Sequence, residues 1–284
     1  MPPSPDPAAA AGVAPVVAPD ALRTLLTGER SGRVVLLEVR RELGPADARR
    51  TGVPGALLVG LTADLVGTPR EGTGSLPLPD RAQVQDRVER WGVDPDSVVV
   101  VYTRDQPALA ARAWWTLRWA GVPDVRYLDG GLDAWVAAGG PLGEHSEPPG
   151  SGALRVTLGS LPVLDDDGAA ALARSGLLLD ARGTHAYAGG VTGGHVPGAH
   201  HLPSTANLDG LGRLRRADAL RATYDAVGLA EGVEVGAYCG GGTSATLDVL
   251  ALATLGVTAA LYPGSWSAWS SDPSRPVATG DRPG

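Results

Sequence analysis

The chain contains two copies of one pattern, so whatever fold it takes must be built twice. Residues 34–40 (Val-Val-Leu-Leu-Glu-Val-Arg) are answered by residues 176–182 (Gly-Leu-Leu-Leu-Asp-Ala-Arg). Residues 51–56 (Thr-Gly-Val-Pro-Gly-Ala) are answered by 194–199 (Gly-His-Val-Pro-Gly-Ala). The apolar run at 98–102 returns in degraded form at 233–238, and residues 119–122 and 128–135 return at 254–257 and 261–269. The offset drifts from 142 to 134 residues, so each copy carries its own insertions. Two units of this length are tandem domains, because a solenoid needs shorter and more numerous repeats.

Within each copy, short apolar runs alternate with helical periodicity. The first copy reads as helix 19–27, strand 34–39, helix 80–91, strand 98–102, helix 108–120, strand 125–128 and a helix near 131–138. The second reads as strand 176–180, helix 216–227, strand 233–238, helix 245–255 and strand 259–262. Strands that are apolar throughout belong to sheets covered on both faces. The expected fold class is therefore α/β, with two tandem domains, each a mainly parallel sheet with helices on both faces. The expected divisions are a disordered leader over 1–16, a first domain over 17–141, a linker over 142–153, a second domain over 154–278 and a tail over 279–284. The leader is rich in Pro and Ala without a basic start or a sustained apolar core, unlike a signal peptide. Residues 141–152 have linker composition.

The formal charge of −7 is spread evenly, with 15 Arg against 19 acids in residues 1–150 and 9 against 12 in the remainder. Nucleic acid and acidic membrane surfaces both call for a basic face, so neither is an expected partner. All the basic side chains apart from histidine are arginine. A single cysteine excludes an intramolecular disulfide and a cysteine-based zinc site. His200 and His201 are adjacent, and neighbours on a strand point to opposite faces, which argues against a metal there. Neither a metal nor an organic cofactor is expected. No apolar run reaches transmembrane length, and the expected location is cytoplasmic.

That single cysteine, Cys239, ends the second copy's apolar run at 233–238 and is followed by Gly240, Gly241, Gly242, Thr243 and Ser244 before a helical stretch. Strand, glycine loop and helix start make a cradle for an anion. Ligands in open α/β sheets lie beyond the carboxyl ends of the strands, which is where Cys239 falls. Backbone amides and the helix dipole favour a thiolate, so this thiol is expected to be partly ionised and reactive. The plain alternative is a small buried hydrophobe. Three consecutive glycines cost backbone entropy without adding packing, which favours the reactive thiol. Thr243 and Ser244 are expected to cap the helix, with hydroxyl contact to a bound anion as a further role.

Taken together, these motifs resemble the rhodanese-like sulfurtransferases of the tandem-domain type, which includes thiosulfate and 3-mercaptopyruvate sulfurtransferases. The resemblance rests on residues 180–182, 194–199, the cysteine loop and residues 263–266. In the first copy, residues 53–56, Trp114, Trp115 and residues 128–131 are equally typical. It runs from about Val17 to about Trp269. It implies a double displacement in which Cys239 takes a sulfane sulfur from a small donor as a persulfide and passes it to a thiol, cyanide or other nucleophile. It also implies a non-catalytic first domain. Thr103 stands at the cysteine position there, followed by Arg-Asp-Gln-Pro in place of the glycines.

Several departures from the family pattern bear on the donor. Family members usually place an arginine where Ala186 precedes Tyr187, and a second in a loop that here is shortened to residues 188–193. Gly241 stands where mercaptopyruvate enzymes carry serine, and Gly52 stands where the first copy would carry histidine. Without those cations a dianionic or carboxylate donor should bind weakly. Arg182 is expected to be an ion-pair partner at the sheet edge, with substrate contact as the alternative. His185 is a candidate for restoring positive charge, and His195 a loop hydrogen-bonder. Two rival functions remain. A cysteine phosphatase or arsenate reductase needs an arginine closing the loop, where Ala245 stands. A binding or regulatory module on a decayed scaffold would carry an inert thiol.

Overall fold

The structure, a computed structural model, describes residues 13–44, 51–190 and 193–284. Each repeat makes one parallel sheet, and the repeated motifs fall at matching positions in the two. The first unit comprises Met1–Leu65 and Asp80–Leu161, and the second Val66–Pro79 and Pro162–Gly284. Of the expected leader, residues 1–12 lie outside those described.

In the first unit the elements run β1 (Val16–Val17), α1 (Pro19–Thr27), β2 (Val34–Arg40), β3 (Leu57–Gly60), α2 (Leu61–Asp64), α3 (Arg81–Arg90), β4 (Val98–Tyr102), α4 (Pro107–Trp119), β5 (Asp124–Leu128) and α5 (Gly131–Ala137). Their five strands lie in the order β1-β5-β4-β2-β3, all parallel. Every residue of β4 is buried, as its unbroken Val-Val-Val-Val-Tyr run requires. Val98, Val100 and Tyr102 pack with Leu22 of α1 and Leu132 and Trp135 of α5, while α4 packs against β2, β4 and β5. Alternation along the strand leaves Val99 and Val101 for the other face, so helices cover both faces. Asp80 caps α3 in a capping box with Gln83, the local signal that sets where this helix begins.

The second unit runs α6 (Asp166–Ser175), β6 (Leu177–Asp180), α7 (Thr184–Tyr187), β7 (His200–His201), α8 (Ala217–Asp225), β8 (Val235–Tyr238), α9 (Ala245–Thr254), β9 (Ala259–Leu261) and α10 (Ser265–Trp269). Its four strands lie in the order β7-β6-β8-β9, all parallel. Glycine at 236 breaks the apolar run of β8 for a packing reason. A Cβ there would meet Leu172 of α6 at 2.6 Å and Leu164 at 2.9 Å.

Four features depart from the expected divisions. Val16–Val17, at the end of the supposed leader, pairs with β5. Residues 142–153 do not hang as a linker. Gly143 exchanges backbone hydrogen bonds with Gly52, Ser146 donates to Ala56, and Ala153 donates to the Asp94 carboxylate. Residues 279–284 are tied down as well, with Gly198 donating to the Pro283 carbonyl at 2.6 Å and Gly280 to that of Ala188. Finally, Val66–Pro79 comes from the first repeat yet belongs to the second unit, so the chain enters that unit, leaves it and returns.

Helix α9 carries a fully buried acid into the core of the second unit. Asp248 of α9 accepts from the Asn207 amide at 2.5 Å, and Asn207 in turn accepts from the Tyr224 hydroxyl at 2.7 Å. Burial pushes the Asp248 carboxyl well above its ordinary value, which the Asn207 bond only partly offsets. A carboxyl raised in the folded state binds its proton more tightly than in the unfolded chain. Its contribution to stability is therefore full at acid pH and lost as pH rises toward the folded value. Asp248→Asn keeps the acceptor and removes the titration. Its urea midpoint should exceed that of the wild type at pH 8, with the gap closing toward pH 4. An equal deficit at both pH values would contradict this.

Candidate active site

Cys239 follows directly on the buried end of β8 and is itself only 3% exposed. The Gly242 amide donates to its Sγ at 3.1 Å, so the loop folds back on the sulfur as an anion cradle does. The three glycines serve different ends. Gly242 adopts φ +80°, a left-handed conformation that other residues rarely take. A Cβ at Gly241 would fall 2.4 Å from Ser75 Oγ, whereas one at Gly240 would meet open space.

The turn leading into α10 forms the other half of the cradle. The Cys239 amide donates to Ser265 Oγ at 3.1 Å, and that hydroxyl donates to the Tyr262 carbonyl at 2.9 Å. Trp266 and Ser267 donate from their backbones to the carbonyls of Cys239 and Gly240, both at 2.9 Å. Ser265 is fully buried and has φ +53°, the one non-glycine among the described residues with positive φ. In the first unit Leu132 donates to Thr103 as Trp266 does to Cys239, and Gly131, at φ +58°, holds the position of Ser265. The second unit thus accepts backbone strain to place a hydroxyl under the cysteine amide.

The motifs distant in sequence converge behind the loop. Asp180 lies opposite Tyr238 in the β6–β8 register, as Glu38 lies opposite Tyr102 between β2 and β4. Arg182 grips Asp180 with Nε at 2.9 Å and a terminal nitrogen at 2.5 Å, and donates to the Gly194 carbonyl at 2.7 Å. Its guanidinium also lies over the Trp266 ring, 4.5 Å from the centroid. Burial works against the charge on Arg182, but the Asp180 contact outweighs it and raises the pKa. The Val196 amide donates to Tyr238 Oη at 3.0 Å. Burial and the neighbouring Asp180 push the Tyr238 phenol well up, so it stays a neutral hydrogen-bonding group.

Of the two readings for Arg182, the surroundings carry the ion pair; the guanidinium is engaged by Asp180, Gly194 and Trp266, which tells against a substrate role. His195 is buried, stacked on Tyr187, with Nδ1 2.9 Å from the Tyr187 carbonyl and Nε2 3.2 Å from that of Pro283. His185 is exposed on α7, its ring lying over Gly190. Val191 and Thr192, in the shortened loop, lie outside the described residues. His201 Nε2 sits 2.9 Å from the Arg182 carbonyl. The expected helix cap is corrected. Ser244 has helical dihedrals and neither it nor Thr243 makes a side-chain cap, because the glycine loop already turns the chain into the helix. The Thr243 hydroxyl, buried at 8% exposure, has no hydrogen-bond partner. Ser265 and Ser75 were missed by sequence reasoning. A serine at the repeat position of Gly131 was a legible signal for Ser265; nothing marked Ser75.

A family model described as "Rhodanese-like domain" matches residues 19–138 and 165–272. "Putative thiosulfate sulfurtransferase SseB" of Mycobacterium tuberculosis is 41% identical over 266 residues, covering 87% of this chain and 91% of that protein. "Probable 3-mercaptopyruvate sulfurtransferase" of Pseudomonas aeruginosa is 41% identical over 247 residues, covering 81% and 84%. The crystal structure of YnjE, a thiosulfate sulfurtransferase of Escherichia coli, superposes with a TM-score of 0.82 at 26% identity, covering 94% of this chain and 69% of that one.

The strained serine yields a test of the cradle. Ser265→Ala keeps the left-handed backbone and orphans the buried Cys239 amide, which costs about 1–3 kcal/mol. Ser265→Gly orphans the same amide but relieves about 1 kcal/mol of strain. Both variants should melt below the wild type, with the glycine variant above the alanine one. An alanine variant as stable as the wild type would contradict the role given to the hydroxyl.

Proposed function

The chain belongs to the rhodanese-like family, and on that premise we propose that it is a sulfurtransferase working through a persulfide on Cys239. The observation that carries the proposal is the Gly242 amide aimed at Sγ at the mouth of a glycine loop, in a chain with no other cysteine. The amide points a hydrogen-bond donor at the sulfur that would carry the persulfide.

In the first half-reaction the Cys239 thiolate attacks the outer sulfur of the donor. With thiosulfate, the S–S bond breaks and sulfite leaves with the bonding pair. With 3-mercaptopyruvate, the C–S bond breaks and the departing carbon takes up the thiol's own proton, giving pyruvate. Either way Cys239 keeps one extra sulfur as an anionic persulfide. In the second half-reaction a thiol or cyanide attacks that outer sulfur, and the Cys239 thiolate leaves. The amides of Gly240 to Ser244 and the unpartnered Thr243 hydroxyl are the donors assigned to the persulfide sulfur. His185, exposed on α7, keeps a minor place in the reading as a candidate contact for the donor. The first unit, with Thr103 in place of the thiol, is assigned no chemistry of its own. No metal or organic cofactor enters the reaction.

Thiosulfate and mercaptopyruvate are the donors acted on by relatives, and both are carried here as candidates. No helix among the described residues is long and apolar enough to cross a membrane. The reading places the protein in the cytoplasm, where its thiol would stay reduced, with small molecules rather than nucleic acid or membrane as partners.

Steady-state thiocyanate formation from thiosulfate and cyanide, with sulfite or pyruvate release measured alongside, tests the proposal. Parallel double-reciprocal lines are expected, the sign of a double displacement. Cys239→Ala should lower turnover by about 10³-fold or more. Turnover that survives in Cys239→Ala would overturn the persulfide mechanism. A folded wild type with no turnover on any donor would favour a binding module on a rhodanese scaffold.

A further inference from the structure

The segment Val66–Pro79 reaches the second unit and ends against the cysteine loop. Gly74, at φ +77°, lets the arm come so close that a Cβ there would fall 2.4 Å from the Gly264 carbonyl and 2.9 Å from Ser267 Oγ. The Ser75 amide then donates to Ser267 Oγ at 2.9 Å, and the Ser267 amide donates to the Gly240 carbonyl. The arm is therefore fastened to the same turn that holds the cysteine loop. At its tip, Ser75 Oγ lies 2.4 Å, and Leu76 Cδ1 3.6 Å, from where a Cβ of residue 241 would stand. The space left by a missing side chain at Gly241 is thus occupied by a hydroxyl from the arm. Ser75 is an exposed residue, so a molecule arriving from solvent can reach it.

The chain uses this device a second time. A Cβ at Gly52 would meet His145 Nε2 at 2.7 Å and Glu38 Oε2 at 2.3 Å. There, too, a side chain from a remote segment fills a glycine's place in a motif loop, and His145 Nε2 bonds to Glu38 at 3.0 Å.

We propose that Ser75 is a specificity-determining residue of the Cys239 site, its hydroxyl donating to an anionic oxygen on the sulfur donor. This inference rests on the sulfurtransferase reading. Its chemical ground is the set of donors at hand. Arg182 is held by Asp180 and the Gly194 carbonyl, and the loop and the Ser75 end of the arm offer hydroxyls and amides to an anionic oxygen. A hydroxyl can donate one hydrogen bond to such an oxygen and gains nothing from a donor that lacks it. The class selected is a sulfur donor with an anionic oxygen near the transferred sulfur, such as a thiosulfonate or a 2-oxo-3-sulfanyl carboxylate. An alkyl hydropersulfide without acidic groups lies outside it.

The test compares full-length wild type, Ser75→Ala and Ser75→Thr on thiosulfate, mercaptopyruvate and a simple alkyl hydropersulfide, with cyanide as acceptor. Ser75→Ala should raise KM for the two anionic donors by about tenfold, the worth of one hydrogen bond to a charged group, and leave kcat within about twofold. Its KM for the hydropersulfide and the alkylation rate of Cys239 by iodoacetamide should match the wild type. Ser75→Thr, which keeps the hydroxyl, should retain most of the wild-type KM. Unchanged KM for both anionic donors in Ser75→Ala would overturn the inference. So would equal losses on all three donors together with slower alkylation, because that pattern marks a damaged loop. A wild type that turns over none of the donors would instead bring down the sulfurtransferase reading itself, and the inference with it.

Discussion

The ion pair between Asp180 and Arg182 is the contact on which the site of the second unit depends. Arg182 is 8% exposed and Asp180 fully buried, so neither charge is well solvated and each relies on the other. Loss of one partner from such a pair leaves an uncompensated buried charge, at a cost of about 3–5 kcal/mol. Four stretches far apart in sequence meet on this pair. The strand end at 180–182 supplies it, and the Gly194 carbonyl accepts from it. Trp266 lies beneath the guanidinium, and Tyr238 stands across the ladder from Asp180. Tyr238 and Trp266 are the residues that place Cys239, one by preceding it in the strand and the other by donating to its carbonyl. A pair at a neighbouring strand end, outside the cysteine loop, therefore helps set where the sulfur is.

The first unit shows the same frame without the thiol. Glu38 takes the place of Asp180, held by Arg40, Arg104, His145 and the Tyr102 hydroxyl. Burial alone would raise the Glu38 carboxyl, but these partners outweigh it and hold it below the ordinary value. The Val53 amide donates to Tyr102 as Val196 does to Tyr238, both at 3.0 Å. What differs lies at the strand's end, where Thr103 replaces the thiol and Gly131 replaces the strained serine. The paired tyrosine and acid are thus a requirement of the fold, and the thiol with Ser265 is an addition to it.

Much of this was legible in the sequence for a physical reason: a buried parallel strand is apolar along most of its length. The runs at 34–39, 98–102 and 233–238 therefore announced β2, β4 and β8 within about two residues. Short or mixed elements escaped. β7 is a two-residue strand of histidines, and β1 consists of two valines at the end of a Pro- and Ala-rich stretch. Helix α6 carries its apolar residues among Asp and Ala, and its helical period went unread. Cys239 stood out in the sequence as a lone thiol followed by three glycines. Ser75 was not, since nothing local distinguishes a serine whose role is set by a fold-back of the chain. The expected cap by Thr243 and Ser244 failed because a loop that enters the helix already turning needs no side chain to start it.

The central claim is that Cys239 holds a transferable sulfur in the cradle made by its own loop and the turn at 263–267. Intact mass of the full chain after a single exposure to thiosulfate or mercaptopyruvate, without acceptor and then with cyanide, tests it most directly. The account predicts the gain of one sulfur atom per chain with at least one of the two donors, its absence in Cys239→Ala, and return to the original mass once cyanide is added. A wild-type mass unchanged by both donors while Cys239 still alkylates, or a sulfur adduct that persists in Cys239→Ala, would contradict it.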